Sequence, residues 1–208
     1  MSRPAFDEHA TKYDGWFMQN TAVLASEILL VKAALGDPGR VLSVGCGSGL
    51  FESILAREHG ITIRDGVEPA DGMAAIARER GLDVKSGTAE SIPHDDATFD
   101  TVLMNGTPAY LSDVSGAFRE AYRVLKPGGH VVVADVPASS GYGMLYQLAA
   151  QIGTWNDERM TKIAPAVPYP VEFVAQANWR TTEEVAVAIE AAGFGELAYQ
   201  QTLTTHPR

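Results

Sequence analysis

Apolar and polar positions repeat along this chain with two distinct periods. From Thr21 to Gly36 apolar side chains recur at helical intervals, and Asp37-Pro38-Gly39 ends that run. The branched stretch Val41–Val44 predicts a first strand. Leu50, Ile54 and Leu55 then predict a helix from Leu50 to His59, stopped by Gly60. The same alternation gives a second strand at about Thr62–Val67, a helix over Asp71–Arg80 closed by Gly81, and a third strand at about Asp83–Ser86. A polar loop carrying Pro93-His94-Asp95-Asp96 leads to a fourth strand, Asp100–Asn105, which ends at Gly106. Ser112 is placed to cap a helix reaching Lys126, and Pro127-Gly128-Gly129 turns the chain. His130–Val136, the most apolar run, supplies the fifth strand, as expected where helices cover both sheet faces. This β-α alternation predicts an α/β fold built on a doubly wound, mostly parallel, right-handed sheet.

The alternation fails between Pro137 and Arg180. That span carries Pro137, Pro165, Pro168 and Pro170 together with Tyr142, Met144, Tyr146, Trp155, Met160, Tyr169, Phe173 and Trp179. It is too long for a simple connection and reads as a partly helical insertion after the fifth strand, lying over the carboxyl edge of the sheet. Thr181 and Glu184 offer a capping box for a helix ending near Gly193, and Glu196–Thr204 reads as a sixth strand. A length of 208 residues suits one domain. It divides into an N-terminal helical lid (1–36), a ligand-binding core (37–136), the cap insertion (137–180), and a C-terminal helix and strand (181–208).

The densest chemistry lies in the turn after the first strand, Gly45-Cys46-Gly47-Ser48-Gly49. Glycines there let the backbone approach a ligand, and amides at the following helix start face it. A dinucleotide turn spaces its glycines G-x-G-x-x-G, whereas here the third comes one residue sooner. Glu68 closes the second strand, where an acidic side chain can accept bonds from both hydroxyls of a ribose. Further on come Ser86-Gly87-Thr88-Ala89-Glu90-Ser91-Ile92-Pro93 with Phe99-Asp100, then Phe118 to His130 with Leu125-Lys126-Pro127-Gly128-Gly129. These four passages, in this order, resemble class I S-adenosylmethionine-dependent methyltransferases. The N-terminal Phe6-Asp7, Ala10, Tyr13-Asp14 and Trp16-Phe17 resemble the small-molecule, quinone-biosynthesis-like "type 11" branch.

The resemblance implies a Rossmann-like methyltransferase fold, S-adenosylmethionine as cofactor and S-adenosylhomocysteine as product. It implies a cofactor site made by Gly45, Cys46, Gly47 and Gly49, by Glu68, Pro69 and Met73, by Thr88, Ala89 and Glu90, and by Asn105 and Gly106. Met73 would pack on the adenine, and Tyr13 would close over the methionine carboxylate or the acceptor; packing on the core explains Tyr13 equally well. Three departures stand out. Ser43 occupies the position, two before the first glycine, where the family carries an acid, so a carboxylate contact to the methionine amine through that position is lost. Thr88 stands where the family has an acidic or amide residue. The chain also ends soon after its sixth strand, so the family's seventh strand is absent or truncated.

Charge and composition narrow the partners. A net charge of −10 works against a phosphate backbone and against anionic membrane surfaces, but is permissive for a sulfonium. No signal-peptide core and no run of eighteen apolar residues occur, and one cysteine fits a reducing compartment, so a cytoplasmic protein is expected. Cys46 reads as a small residue fitting its turn. No metal-ligand spacing is present.

The expected reaction is methyl transfer to a small, largely apolar molecule by in-line displacement, driven by orientation and desolvation. A base is needed only for a neutral oxygen or nitrogen acceptor; Tyr13, His9, Tyr110 and Tyr142 are candidates, and His9 and His94 are the histidines best placed to face the cleft. A homodimer is compatible with the sequence. A non-catalytic S-adenosylmethionine-binding or assembly protein is the alternative, followed by a nicotinamide-dependent oxidoreductase.

Overall fold

The computed structural model describes residues 6–7 and 9–201. Five strands form one sheet: β1 (Val41–Val44), β2 (Asp65–Glu68), β3 (Asp83–Ser86), β4 (Phe99–Asn105) and β5 (Leu125–Ala134). Their order is β3-β2-β1-β4-β5 and every pairing is parallel, so the sheet is doubly wound as the alternation predicts. The described helices are α1 (Ala10–Gln19), α2 (Thr21–Leu35), α3 (Leu50–His59), α4 (Asp71–Glu79), α5 (Val114–Val124), α6 (Gly141–Ile152), the short α7 (Val171–Val174) and α8 (Thr182–Ala191).

Successive strand residues point to opposite faces, and each face has its own core. Val41, Leu103 and Val132 pack with α1, α2 and α3 and with the aromatic residues of the insertion, among them Tyr146, Trp155, Tyr169 and Phe173. Leu42, Val44, Val102 and Met104 pack instead with Phe118 and Val124 of α5 and Ile189 of α8. Both cores hold side chains with no exposed surface, and each such Val, Leu or Phe stabilises the fold by about 1.5–3 kcal/mol. The insertion is partly helical, as expected, and is bound into the first core through α6, α7 and the Trp155 indole, which donates to the Tyr169 carbonyl at 2.8 Å.

Beyond shifts of one or two residues at element ends, such as β4 starting at Phe99 and β5 ending at Ala134, four boundaries differ from the sequence reading. β2 starts at Asp65 because its ladder with β1 begins where Leu42 meets Asp65; residues 62–64 lie outside the strand, although the Arg64 carbonyl accepts the Asp83 amide at 2.7 Å. Asp113, not Ser112, caps α5, its carboxylate accepting the Gly116 amide at 2.8 Å. α5 ends at Val124, and Leu125 already pairs with Phe99, so Lys126-Pro127-Gly128-Gly129 lies inside β5 as an irregularity of register. No sixth strand forms over residues 196–201, and residues 202–204 lie outside those described. Leu197 touches the second core, but its neighbours, including Tyr199, are exposed, so this segment gains too little burial to extend the sheet. The capping box is formed: Thr181 Oγ accepts the Glu184 amide at 3.2 Å and Glu184 accepts the Thr181 amide at 2.8 Å.

The two neighbouring candidates for the α5 cap separate cleanly by mutation. Asp113→Ala should cost about 1 kcal/mol in urea unfolding, the usual loss for an N-cap carboxylate, and Ser112→Ala should cost well under half of that. Equal losses would return the cap to Ser112.

Candidate active site

Strand order reverses at β1: the chain leaves toward β2 on one side, and β4 lies on the other. A crevice therefore opens past the carboxyl ends of β1 and β4, where doubly wound sheets bind ligands. Here it deepens into a cavity of about 1360 Å³ walled by strand ends, α1, α2 and the insertion. That exceeds the roughly 300–1,000 Å³ usual for a single ligand and leaves room for two.

The glycine turn forms the floor. The Gly45 amide donates to the Val67 carbonyl at 2.8 Å and the Gly47 amide to Glu68 Oε2 at 2.9 Å, tying the turn to β2. Gly47 holds φ +55° with no atom near its absent Cβ, so a side chain there would be strained and would enter the cavity. Gly49 (φ +71°) lies away from the wall: its Hα side meets Ala77 and Leu82, and its lack of a side chain lets α3 approach α4. Cys46 is likewise turned away, into a small core with Ala74, Ala77, Leu82 and Val84. Burial pushes its thiol far up, which suits the structural reading of that residue.

Of the other residues that the sequence assigns to a cofactor, Glu68, Pro69 and Met73 line the cavity at the β2 end. Thr88, Ala89 and Glu90 line it after β3, and Asn105 and Gly106 at the end of β4. Gly45 and Tyr13 complete the set. Glu68 is buried and its carboxyl is raised to about 7 by desolvation, which outweighs the bonds it accepts from the Ala70 and Gly47 amides. Those two bonds leave half of its acceptor capacity for a ligand diol. Burial also pushes the Glu90 carboxyl up, but amides, those of Asp113 and Ser112 among them, outweigh it and hold the group below the ordinary range.

The base candidates separate. Tyr13, Tyr110 and Tyr142 face the cavity, whereas His9 does not; it sits at the N-terminus of α1. His94 lies at the opposite edge of the sheet, its ring edge-on to Phe99 at the amino end of β4, so it faces no cleft. Burial and then the charge of Glu27 drive the Tyr13 phenol well above its ordinary range, which leaves it a neutral hydrogen-bonding group.

Two wall residues escape the motifs. Asp135 follows β5 and opens onto the cavity, its carboxylate accepting the Ala109 and Val136 amides at 2.9 and 2.8 Å. Glu27 comes from α2 and has no cationic partner among the described residues. Both have accessible surface toward the cavity, yet surrounding protein desolvates them. Desolvation raises Asp135 to about 6, and desolvation with the charge of Asp135 raises Glu27 to about 7. Asp135 is an acid at the carboxyl end of an apolar run, one residue past β5, and that signal could have found it. Glu27 sits within the apolar run Val23–Val31, where no local motif marks it.

α1 spans the opening. Asp14 accepts from Ser48 Oγ beside the glycine turn and pairs with Arg80 at 2.7 Å. From a different face of α1 the Trp16 indole donates to the Val167 carbonyl at 3.0 Å and Lys12 pairs with Glu172, both partners in the insertion.

Comparison with known proteins places this geometry. A family model described as a methyltransferase domain matches residues 42–133. The chain is 33% identical to a solved structure from Thermotoga maritima described as a SAM-dependent methyltransferase, possible histamine N-methyltransferase; it superposes with a TM-score of 0.78 over 94% of this chain and 82% of that one. It is 30% identical to an uncharacterized protein of Methanocaldococcus jannaschii, over 95% of this chain and 84% of that protein. It is 27% identical to the demethylmenaquinone methyltransferase of Tropheryma whipplei, over 96% of this chain and 85% of that enzyme.

Two measurements test the site. Glu68→Ala should weaken S-adenosylhomocysteine binding in calorimetry by roughly 10- to 100-fold, the worth of charge-assisted bonds of about 1.5–3 kcal/mol; unchanged affinity would remove the ribose assignment. Saturating S-adenosylhomocysteine should slow hydrogen exchange in α1 and α6 and leave β5 unchanged, since covering segments order around ligand while core strands are already slow to open. Equal exchange in α1 and α6 with and without ligand would make both ordinary packing elements.

Proposed function

Because the chain belongs to the S-adenosylmethionine-dependent methyltransferases, we propose that it transfers the methyl group to a small, largely apolar amine. The observation that carries the acceptor class is the charge of the cavity. Its wall holds Glu27, Glu68, Glu90 and Asp135 and, among the described residues, no lysine, arginine or histidine. Glu68 and Glu90 belong to the cofactor end. Glu27 and Asp135 stand beyond it, amid the rings of Tyr110, Tyr142, Tyr146 and Trp179. Arg180, whose charge reaches Asp135, spends its guanidinium on the Pro108 and Leu111 carbonyls.

An anionic acceptor would meet uncompensated repulsion in this space. A neutral apolar molecule would leave Glu27 without a counter-charge and Asp135 with only its two backbone amides, which is costly for desolvated carboxylates. A protonated amine answers both problems, and aromatic faces add attraction for its cation. The relative described as a possible histamine N-methyltransferase supports the same class.

When bound, S-adenosylmethionine supplies a methyl group on a sulfonium, an activated carbon with a neutral leaving group. Glu27 and Asp135 hold the acceptor ammonium and take its proton, since carboxyls raised to about 7 and 6 exchange protons near neutrality. With its proton taken by these carboxylates, the acceptor nitrogen would have a free lone pair for the methyl group that a cofactor held by the glycine turn and Glu68 would supply, the bonding pair staying on sulfur. Tyr13, Tyr146 and Tyr169 do not take the proton; burial holds their phenols far above neutrality. They shape the cavity and exclude water, which orients the acceptor for in-line attack.

The test uses protein saturated with S-adenosylhomocysteine and three probes of matched shape: 2-phenylethylamine, 2-phenylethanol and 3-phenylpropanoate, with histamine as a further amine. The amines should bind and be methylated when S-adenosylmethionine replaces the product. Their affinity should rise with pH across about 6 to 7, as Asp135 and Glu27 ionise, and Glu27→Gln should remove the upper part of that rise. Preference for the alcohol or the carboxylate would overturn the amine reading and leave the methyltransferase assignment standing.

A further inference from the structure

Ser43 occupies the end of β1, where the family carries an acid, yet the position is not without charge. Glu52, in the first turn of α3, reaches back beneath the glycine turn, and its Oε1 accepts the Ser43 hydroxyl at 2.6 Å. Both side chains are buried, Glu52 with 3% and Ser43 with 2% of their surface exposed. The second carboxylate oxygen, Oε2, is buried with no hydrogen-bond partner. An unpaired buried carboxylate oxygen is expensive, so the arrangement calls for a donor that the protein itself does not provide.

The surroundings specify that donor. A recess of about 20 Å³ adjoins Glu52, lined also by Tyr13, Gly45, Gly47 and Asn105. All four of these line the large cavity as well, so the recess is a side pocket of the cofactor site. Its volume suits one group the size of water or of an ammonium head. The nearest cation, Arg80, is committed to Asp14 and to the Ser48 carbonyl and cannot serve. Glu68 sits on the β2 side of Gly47 and marks the ribose end, which leaves the Glu52 side for the other end of the cofactor.

We propose that Glu52, oriented by Ser43, is the receptor for the α-ammonium of the cofactor's methionyl group: an anion moved from strand to helix to serve the same space. The proposal rests on the methyltransferase assignment. The strand supplies a hydroxyl that fixes the carboxylate rotamer, and the helix supplies the charge.

A binding cycle on the full chain tests it with three probes: S-adenosylhomocysteine, its deaminated analogue that keeps the carboxylate, and 5′-methylthioadenosine, which lacks the amino-acid end. Wild-type protein should bind S-adenosylhomocysteine at least about tenfold more tightly than the deaminated analogue, the usual worth of a desolvated charge-assisted contact. Glu52→Gln should abolish that preference and leave 5′-methylthioadenosine affinity unchanged, which also reports that the turn is intact. The double variant Ser43→Asp, Glu52→Ala returns the charge to the strand and should restore the preference. A preference for the ammonium that survives in Glu52→Gln, or an equal loss for all three probes, would overturn the proposal; should Glu52→Gln fail to fold, absence of any preference in the wild type would do so alone. Wild-type protein that binds none of the probes would instead refute the cofactor assignment.

Discussion

Everything in this molecule hangs on β1 lying between β2 and β4. A parallel strand needs a crossover to reach its neighbour, and right-handed crossovers on opposite sides of one strand must place their helices on opposite faces. The chain therefore parts at the carboxyl end of β1, and no backbone fills the gap. The glycine turn is bent over that gap and fastened to β2 through Val67 and Glu68. The same gap exposes Asn105 of β4, and Asp135 stands just past β5, so side chains far apart in sequence share one cavity.

Electrostatics then decide what the cavity can hold. The chain carries an excess of acids, and the cavity wall concentrates that excess without a neutralising cation among the described residues. Desolvation raises Glu27, Glu68 and Asp135 toward neutrality, so these groups sit poised between holding a cation and accepting its proton. Glu52 is desolvated more completely and keeps one oxygen unsatisfied. A cationic cofactor relieves such a site, and the proposed amine acceptor would do the same beyond it.

The cover is held by a different kind of contact from the core. α1 touches the glycine turn through the Ser48 hydroxyl on Asp14, α4 through the Asp14–Arg80 pair, and the insertion through Trp16 and Lys12. Beneath it Tyr13 meets Phe17, Tyr169 and Phe173 edge-on. Partly exposed ion pairs contribute little each, so α1 is anchored mainly by its aromatic face. A segment held in this way can shift as a unit while the sheet beneath stays fixed.

The sequence by itself determined the sheet, the cofactor family and the placement of the glycine turn, because these depend on local signals: period-two and helical apolar patterns, and glycines where a backbone must bend. Glu68 and Asn105 were legible for the same reason, as polar residues that end apolar strands. Boundaries set by partners were not. β2 begins where β1 can pair with it, Asp113 rather than Ser112 meets the Gly116 amide, and residues 196–201 find no edge worth joining. Nor does any local pattern announce that Glu27, on an apolar helix, faces Asp135, or that the charge missing at Ser43 is carried by Glu52 in the first turn of α3. Those facts belong to tertiary structure, because charge acts through space and only folding decides which carboxylates share a desolvated volume.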